Sequence, residues 1–363
     1  MTELPTPPDH DGLVFQEWNW TLEQIKSSSV GADVGANYDT VDGSIKLHIN
    51  IQTQKEMAWQ ITVQQDKDKS VSYVGATVDW GDGVTTVCDA KGEATAAHTY
   101  TKRGRYVVTI HKGAGMTCVK LSASYQVGLF SPNRSAETAI EEVYVGSDCG
   151  FIFAYAFYQC IHLKKISLSS TVKISGTYNY NIFQFAKSLQ SIVIPRTNTS
   201  IKEGLLTNCV SLRSVCLPPT VMTIAQYFVY GCTSIQRVIV PDSVVNLDGY
   251  GHFGKTTVLK DLRIGEGITT ISQSFALENT ALVSVTISEK INKIETQAFY
   301  GCNNIAEYHI KSQSPPTLTD KNAFAINTIA GDKTKIYVPK SCADAYKTAT
   351  NWAALADYII EEE

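Results

Sequence analysis

The chain has 363 residues, of which 44% are hydrophobic and 18% charged, with a formal net charge of -4. That length suffices for two or three domains with cores of their own, while the composition excludes a disordered chain and a general nucleic-acid surface. No window of 18 consecutive apolar residues occurs, so membrane insertion by a simple spanning helix is excluded as well. The first element, residues 1–30, is a leader. Its opening "MTELPTPPDHDG" has neither the basic nor the apolar region of a signal peptide, so the chain is expected either to avoid that export route or to have lost such a peptide ahead of Met1. The following "GLVFQEWNW" is unusually aromatic, and Phe15, Trp18 and Trp20 are expected to pin the leader onto the next domain or onto the first repeat. A carbohydrate platform is the second reading of these rings.

Residues 31–128 are expected to form a β-sandwich. The stretches "SIKLHINI", "AWQITVQQ" and "YVVTI" alternate apolar and polar residues with the period of a strand. Gly81 and Gly83 permit a tight turn after a strand, and His98 and Tyr100 enter theirs where a polar tip reaches that turn. The motif "WGDG", then "HTY", then "GRYVVTI" resembles a PKD-like domain, which implies an immunoglobulin-type sandwich. Asp79 and Asp82 form a carboxylate pair that calcium binding or catalysis could use. With no further acidic cluster nearby, Asp82 is expected to cap its own turn.

Residues 129–333 repeat. Segments opening at Ile140, Leu163, Leu189, Leu212, Ile235, Leu259, Leu282 and Ile305 follow one another at steps of 23, 26, 23, 23, 24, 23 and 23 residues. Each opens with an L-x-x-V-x-L strand, such as "LKKISL" or "LRSVCL", continues to a second apolar pair and closes in a bend such as "AFYGCNN". Repeats of this length and signature indicate a leucine-rich-repeat solenoid of about eight units, whose apolar faces are buried only by stacking. Pro195, Pro218 and Pro241 follow three of the strands, a place where proline is expected to end a strand without removing a ladder hydrogen bond.

Within this frame two apparent motifs lose their chemistry. Gly249 to Thr256, "GYGHFGKT", matches the phosphate-binding pattern GxxxxGK[ST], but no strand runs into it and no helix leaves it, so it reads as the closing bend of the fifth unit. Cys160, Cys209, Cys232 and Cys302 each lie three residues before the next opening Leu or Ile, a column interrupted by Ala186, Thr256 and Asn279. Stacked thiols spread along a line instead of converging on a metal, so a buried column is expected and no metal site.

The units "LPPTVMTIAQYFVYGCTSIQRVIVPDSV" and "ISEKINKIETQAFYGCNNIAEYHI" resemble the BspA-like leucine-rich repeats of bacterial surface proteins. Residues 334–363 resemble the cap that ends such arrays: a last strand, then a short helix from about Ser341, with Trp352 and Tyr358 sealing the core. The fold class is therefore mainly β with short helices: a PKD-like sandwich, a solenoid and a helical cap. The resemblance implies a cell-surface or extracellular protein that binds other proteins or glycans, on a scaffold that serves many ligands.

No HExxH, GxSxG or CxxC motif is present, the seven histidines are scattered, and no cofactor is expected. Cys216 points outward by strand phase and is the candidate nucleophile, with no visible base. The expected function is a non-catalytic adhesion module with a protein or glycan ligand on the concave sheet. A phage tail-like particle component and a hydrolase whose repeats present substrate are the alternatives. The fifth strand position faces out, and there Val193, Cys216 and Ile239 make an apolar stripe beside Arg237 and Arg263, the candidate ligand site.

Overall fold

The computed structural model describes residues 3–67, 74–88, 93–121, 136–174, 180–327 and 334–362. The expected boundary at residues 128 and 129 lies outside them, and so does residue 333. No helix among the described residues is long and apolar enough to cross a membrane.

The leader is a hairpin with a helical excursion. Strand β1 (Leu13–Trp18) pairs antiparallel with β2 (Ala36–Thr40), and α1 (Leu22–Ser27) lies between them. The helix starts at a capping box: the Thr21 hydroxyl accepts from the Gln24 amide at 3.2 Å, and the Gln24 side chain accepts from the Thr21 amide at 2.9 Å.

The sandwich strands are β3 (Ile45–Ile51), β4 (Ala58–Lys67), β5 (Thr77–Asp79), β6 (Thr85–Val87), β7 (Glu93–Thr99), β8 (Gly104–His111) and β9 (Met116–Leu121). In β3 the isoleucines and leucine point inward and Lys46, His48 and Asn50 outward, which is why "IKLHINI" forms a strand with one wet face. At the turn after β5, Gly81 has φ +78°, and a Cβ there would lie 2.6 Å from the Val107 carbonyl oxygen, so only glycine fits. Trp80 is buried beneath, its indole donating to Thr86 Oγ1 at 2.9 Å, and the Tyr100 hydroxyl donates to the Trp80 carbonyl at 2.8 Å. Asp82 caps the turn by accepting from the Val84 amide at 3.2 Å and holds His98 Nε2 at 2.8 Å.

The repeats begin with β10 (Ile140–Val145), β11 (Cys149–Ile152), β12 (Lys165–Leu168) and β13 (Lys173–Ile174). These strands extend the sandwich sheets, whose orders are β12-β10-β3-β8-β5-β6 and β13-β11-β9-β4-β7. Strand β10 runs antiparallel to β3, and β11 parallel to β9. One apolar core therefore runs through both regions.

Along the solenoid the fourth and sixth strand positions are buried, from Val143 and Val145 through Val238 and Val240 to Tyr308 and Ile310, with a single open unit at Leu262 and Ile264. Cys160, Cys209, Cys232 and Cys302 are buried in a column. Three of the thiols donate to the backbone of the preceding turn: Cys209 to Phe183, Cys232 to Leu206 and Cys302 to Ala276, at 3.1, 3.0 and 3.0 Å. Thr256 holds the same place with its hydroxyl bonded to the Phe253 carbonyl at 2.6 Å, so the column accepts a donor of either kind. At the far end Lys335–Val338 pairs parallel with Glu307–Ile310, α2 (Ala343–Thr348) follows, and Trp352 is buried against Phe324 and Tyr346.

The prolines correct one expectation. In three units the amide of the residue after the strand bonds the carbonyl of the unit before: Ser169 to Val145, Gly265 to Val240 and Lys311 to Ile287, each at 2.9 Å. Pro195, Pro218 and Pro241 occupy this same position without a donor, so a ladder bond is lost at each. The carbonyls opposite are those of Leu168, Ile194 and Leu217.

Candidate binding face

Two of these three carbonyls are satisfied from the leader. Asn37 of β2 donates its side-chain amide to Leu168 at 3.1 Å, and the Trp20 indole N–H donates to Leu217 at 2.8 Å. A buried carbonyl without a partner costs about 1–3 kcal/mol, so Pro195 and Pro241 each make a socket that the leader fills. Trp20 is 3% exposed. It docks on the fourth unit, not on the sandwich or the first repeat, while Phe15 and Trp18 pack against each other, and Phe15 also against Tyr38.

The stripe of Val193, Cys216 and Ile239 faces outward, as strand phase requires, but it is not open surface: the leader lies along it. Gly35 is pressed so closely onto Val193 that a Cβ would approach Val193 Cγ2 to 2.5 Å. Asn19 donates to the Cys216 carbonyl at 3.3 Å while its side-chain oxygen accepts from the Gly35 amide at 2.7 Å. Ile239 is 3% exposed. The expectation of an exposed apolar stripe is corrected, because outward from the sheet here means inward beneath residues 13–40.

Charge fixes the leader's border. Asp33 reaches Arg237 at 3.2 Å. Burial raises the Asp33 carboxyl above its ordinary range, against the pull of Arg237. Arg263 grips Asp261 with two contacts of 3.0 Å and donates to the Val30 carbonyl at 3.4 Å. Asp242 accepts from the Ser29 amide at 2.8 Å, from the Ser29 hydroxyl, and from the Glu266 amide at 3.0 Å. Burial alone would raise its carboxyl, but these bonds outweigh it and hold it below the usual value. Arg237 and Arg263 keep 43% and 47% of their side chains in solvent and are the most exposed of the five candidate residues.

Cys216 is not an activated nucleophile. Burial, with the Asp33 charge adding to it, pushes its thiol up to about 12, leaving essentially no thiolate at neutral pH. In "GYGHFGKT" the bend is bonded to the sixth unit through Gly251 to Gln273, Phe253 to Phe275 and Lys255 to Leu277. Lys255 lies over the Tyr230 ring at 5.7 Å and 3.8 Å from Glu278, with no helix N-terminus behind it. His252 is fully buried, its ring bonded to Ser272 at 2.9 Å and to the Asp248 carbonyl at 3.2 Å, and burial lowers its pKa to about 4. Among the described residues no group of three or more metal-ligating side chains converges.

Sequence reasoning missed Asn19, Asn37, Asp33 and Asp242. A signal bore on Asn37, since Pro195 leaves the Leu168 carbonyl to be answered by something outside the repeats; the contacts of Asn19, Asp33 and Asp242 have no such mark in the sequence.

Parallel strands stacked at a 23-residue period, with an outward-facing strand row and a capped end, define a leucine-rich-repeat protein. The chain belongs to the BspA type leucine rich repeat family, whose profile matches it in six copies over residues 132–250, 176–306 and 249–349. Among solved structures it is similar to the leucine rich repeat protein of T. pallidum, at 18% identity and a TM-score of 0.35 over 49% of this chain and 73% of that one. It is similar also to the pneumococcal vaccine antigen PcpA, at 19% and 0.32 over 68% and 46%. A third is a leucine rich cell surface protein from Faecalibacterium prausnitzii, at 16% and 0.23 over 58% and 88%. Comparison with curated proteins gives no match.

Proposed function

We propose that the protein is a non-catalytic adhesion module acting at a cell surface or outside the cell, which holds a protein ligand on its concave face. The sandwich, read as PKD-like, serves as its spacer. The observation that carries this reading is the composite surface itself: the protein's own leader and two half-exposed guanidinium groups, Arg237 and Arg263, lie side by side on the strand row of a BspA-type array. The ligand engages the two arginines and the leader's outer side, while Val193, Cys216 and Ile239 act through the leader they seat. Arginine is suited to this role because its planar fork pairs with carboxylates in a fixed geometry.

The test is a screen of the full-length protein against arrayed surface proteins and glycans, repeated with Arg237→Glu. Reversing one rim charge should leave the fold intact and weaken capture of a protein ligand at least tenfold, chiefly through the association rate. Unchanged capture by that variant would remove the site. Turnover of an arrayed polysaccharide or peptide would replace the adhesion reading with a hydrolytic one.

A further inference from the structure

The sixth and seventh units come apart on one side only. Their bends are joined by bonds from Ser274 to Thr296, Ala276 to Ala298 and Glu278 to Tyr300 at 2.7–3.2 Å, and their second strands pair at Thr270 with Lys293 and Ile271 with Ile294. On the concave face Asp261–Ile264 and Ser284–Ile287 fall in separate sheets with no ladder between them, as do Lys165–Leu168 and Ser191–Val193 and also Ser214–Cys216 and Arg237–Val240, but here the break comes with a cavity and with part-buried core positions. The bond that ties Ser169 to Val145, Gly265 to Val240 and Lys311 to Ile287 has no counterpart from Ser288 to Ile264, although Ser288, unlike Pro195, Pro218 and Pro241, carries an amide.

On the other side of the sixth unit stand Gly265 and Gly267. A Cβ on either would fall 2.5 Å from the Asp242 amide or 2.3 Å from the Asp242 carbonyl oxygen, so these glycines let the sixth unit settle onto the fifth.

Between the sixth and seventh units a wedge of about 380 Å³ enters the core, floored by Phe275, Leu282 and Phe299. Leu262 and Ile264 are only part-buried there, whereas the same positions are buried in every other unit. The size matches an ordinary ligand pocket. Two of its walls are strand edges with no ladder between them, and Ser29 and Val30 of the leader also line it.

We propose that this wedge accepts one extended peptide segment, which enters as an added parallel strand between Asp261–Ile264 and Ser284–Ile287. Apolar side chains alone would suit an acyl chain equally well. Two facing rows of unpaired amides and carbonyls suit only a chain that carries both groups on both of its edges, and an extended backbone does. Alternate side chains of the segment would fill the wedge and the others would face solvent near Lys260 and Arg263, so the partner is an extended segment with apolar residues at every second position. Arg237 does not line the wedge, although Arg263 and the leader residues Ser29 and Val30 do.

The experiment uses the full-length chain and a pooled library of six-residue peptides with Val, Ile, Leu or Phe at alternate positions and Thr, Lys or Glu between. The best binder is then remade with N-methyl groups on alternate amides, and palmitate is tested in parallel. Ser288→Pro is the decisive variant. The Ser288 amide makes no ladder bond in the free protein, and the turns after Pro195, Pro218 and Pro241 close by the same carbonyl contact three residues on that Ser288 makes with Ile291, so the fold should tolerate it. Expected are saturable peptide binding, slowed amide exchange across residues 261–264 and 284–288, and affinity about tenfold weaker for Ser288→Pro and for the N-methylated peptide. No binder in the library, binding of palmitate alone, or equal affinity for Ser288→Pro with an unchanged melting temperature would each overturn the proposal. Arg237→Glu should leave peptide binding untouched, which separates failure here from failure of the adhesion surface.

Discussion

If Trp20 docks on the solenoid because Pro241 has left the Leu217 carbonyl without a donor, the two residues must be energetically coupled although they are not bonded to each other. Trp20→Phe keeps an aromatic ring in the buried socket but removes the indole N–H that reaches Leu217 at 2.8 Å. The orphaned carbonyl should cost about 1–3 kcal/mol. Pro241→Ala returns an amide to the position from which Gly265 bonds Val240 at 2.9 Å one unit later. In that background the carbonyl has a partner with or without the indole, so Trp20→Phe should cost only the smaller change in packing, under about 1.5 kcal/mol. The double-mutant cycle therefore predicts a coupling of about 1–2 kcal/mol. Native-state hydrogen exchange of Asn19 and Gly35 reports it, since their amides are bonded only while the leader is closed on itself, at 2.8 and 2.7 Å. Each 1.4 kcal/mol appears as a tenfold change in protection. Equal losses of protection in the two backgrounds would refute the socket argument.

The covering of Cys216 predicts that deletion of residues 3–31 speeds its labelling by a maleimide at pH 8 at least tenfold, while Cys209 and Cys232 stay slow in the column; equal rates with and without the leader would show that the leader does not shield the stripe. His252 predicts an acid limit. Its folded pKa of about 4 lies below the ordinary 6.5, so above pH 6.5 both states are neutral and nothing is lost. As pH falls from 6.5 to 4 the unfolded chain takes up a proton that the folded one refuses, and stability drops by up to about 3 kcal/mol. Urea titrations of His252→Gln should lack that part of the slope, and an identical slope would assign it to other groups.

The solenoid was legible because eight units repeat one requirement: a wrong phase at Ile192 or Val215 would have to be wrong eight times over, and the fourth and sixth positions are buried as the period demands. The leader was legible only as a segment with too many rings for a free terminus. Where it docks depends on contacts made once, between Trp20 and Leu217 or Asn37 and Leu168, and a single contact leaves no period to read. Strand phase correctly sent Ile239 away from the core, but phase says which side of a sheet a residue occupies and not what lies on that side. Gly265-Glu-Gly267 replaces a proline with the two residues that permit closer stacking, though nothing in the sequence says that a gap opens on the other side.

Because β10 continues the β3 sheet while β11 continues the β9 sheet, the sandwich and the repeats have no joint between them. Two ladders on opposite faces act as a bracket and remove the freedom to hinge or swivel that a linker would give. Whatever surface holds the sandwich therefore also sets the angle at which the concave face meets the world. A target has to arrive in that orientation, and the array does not turn to meet it.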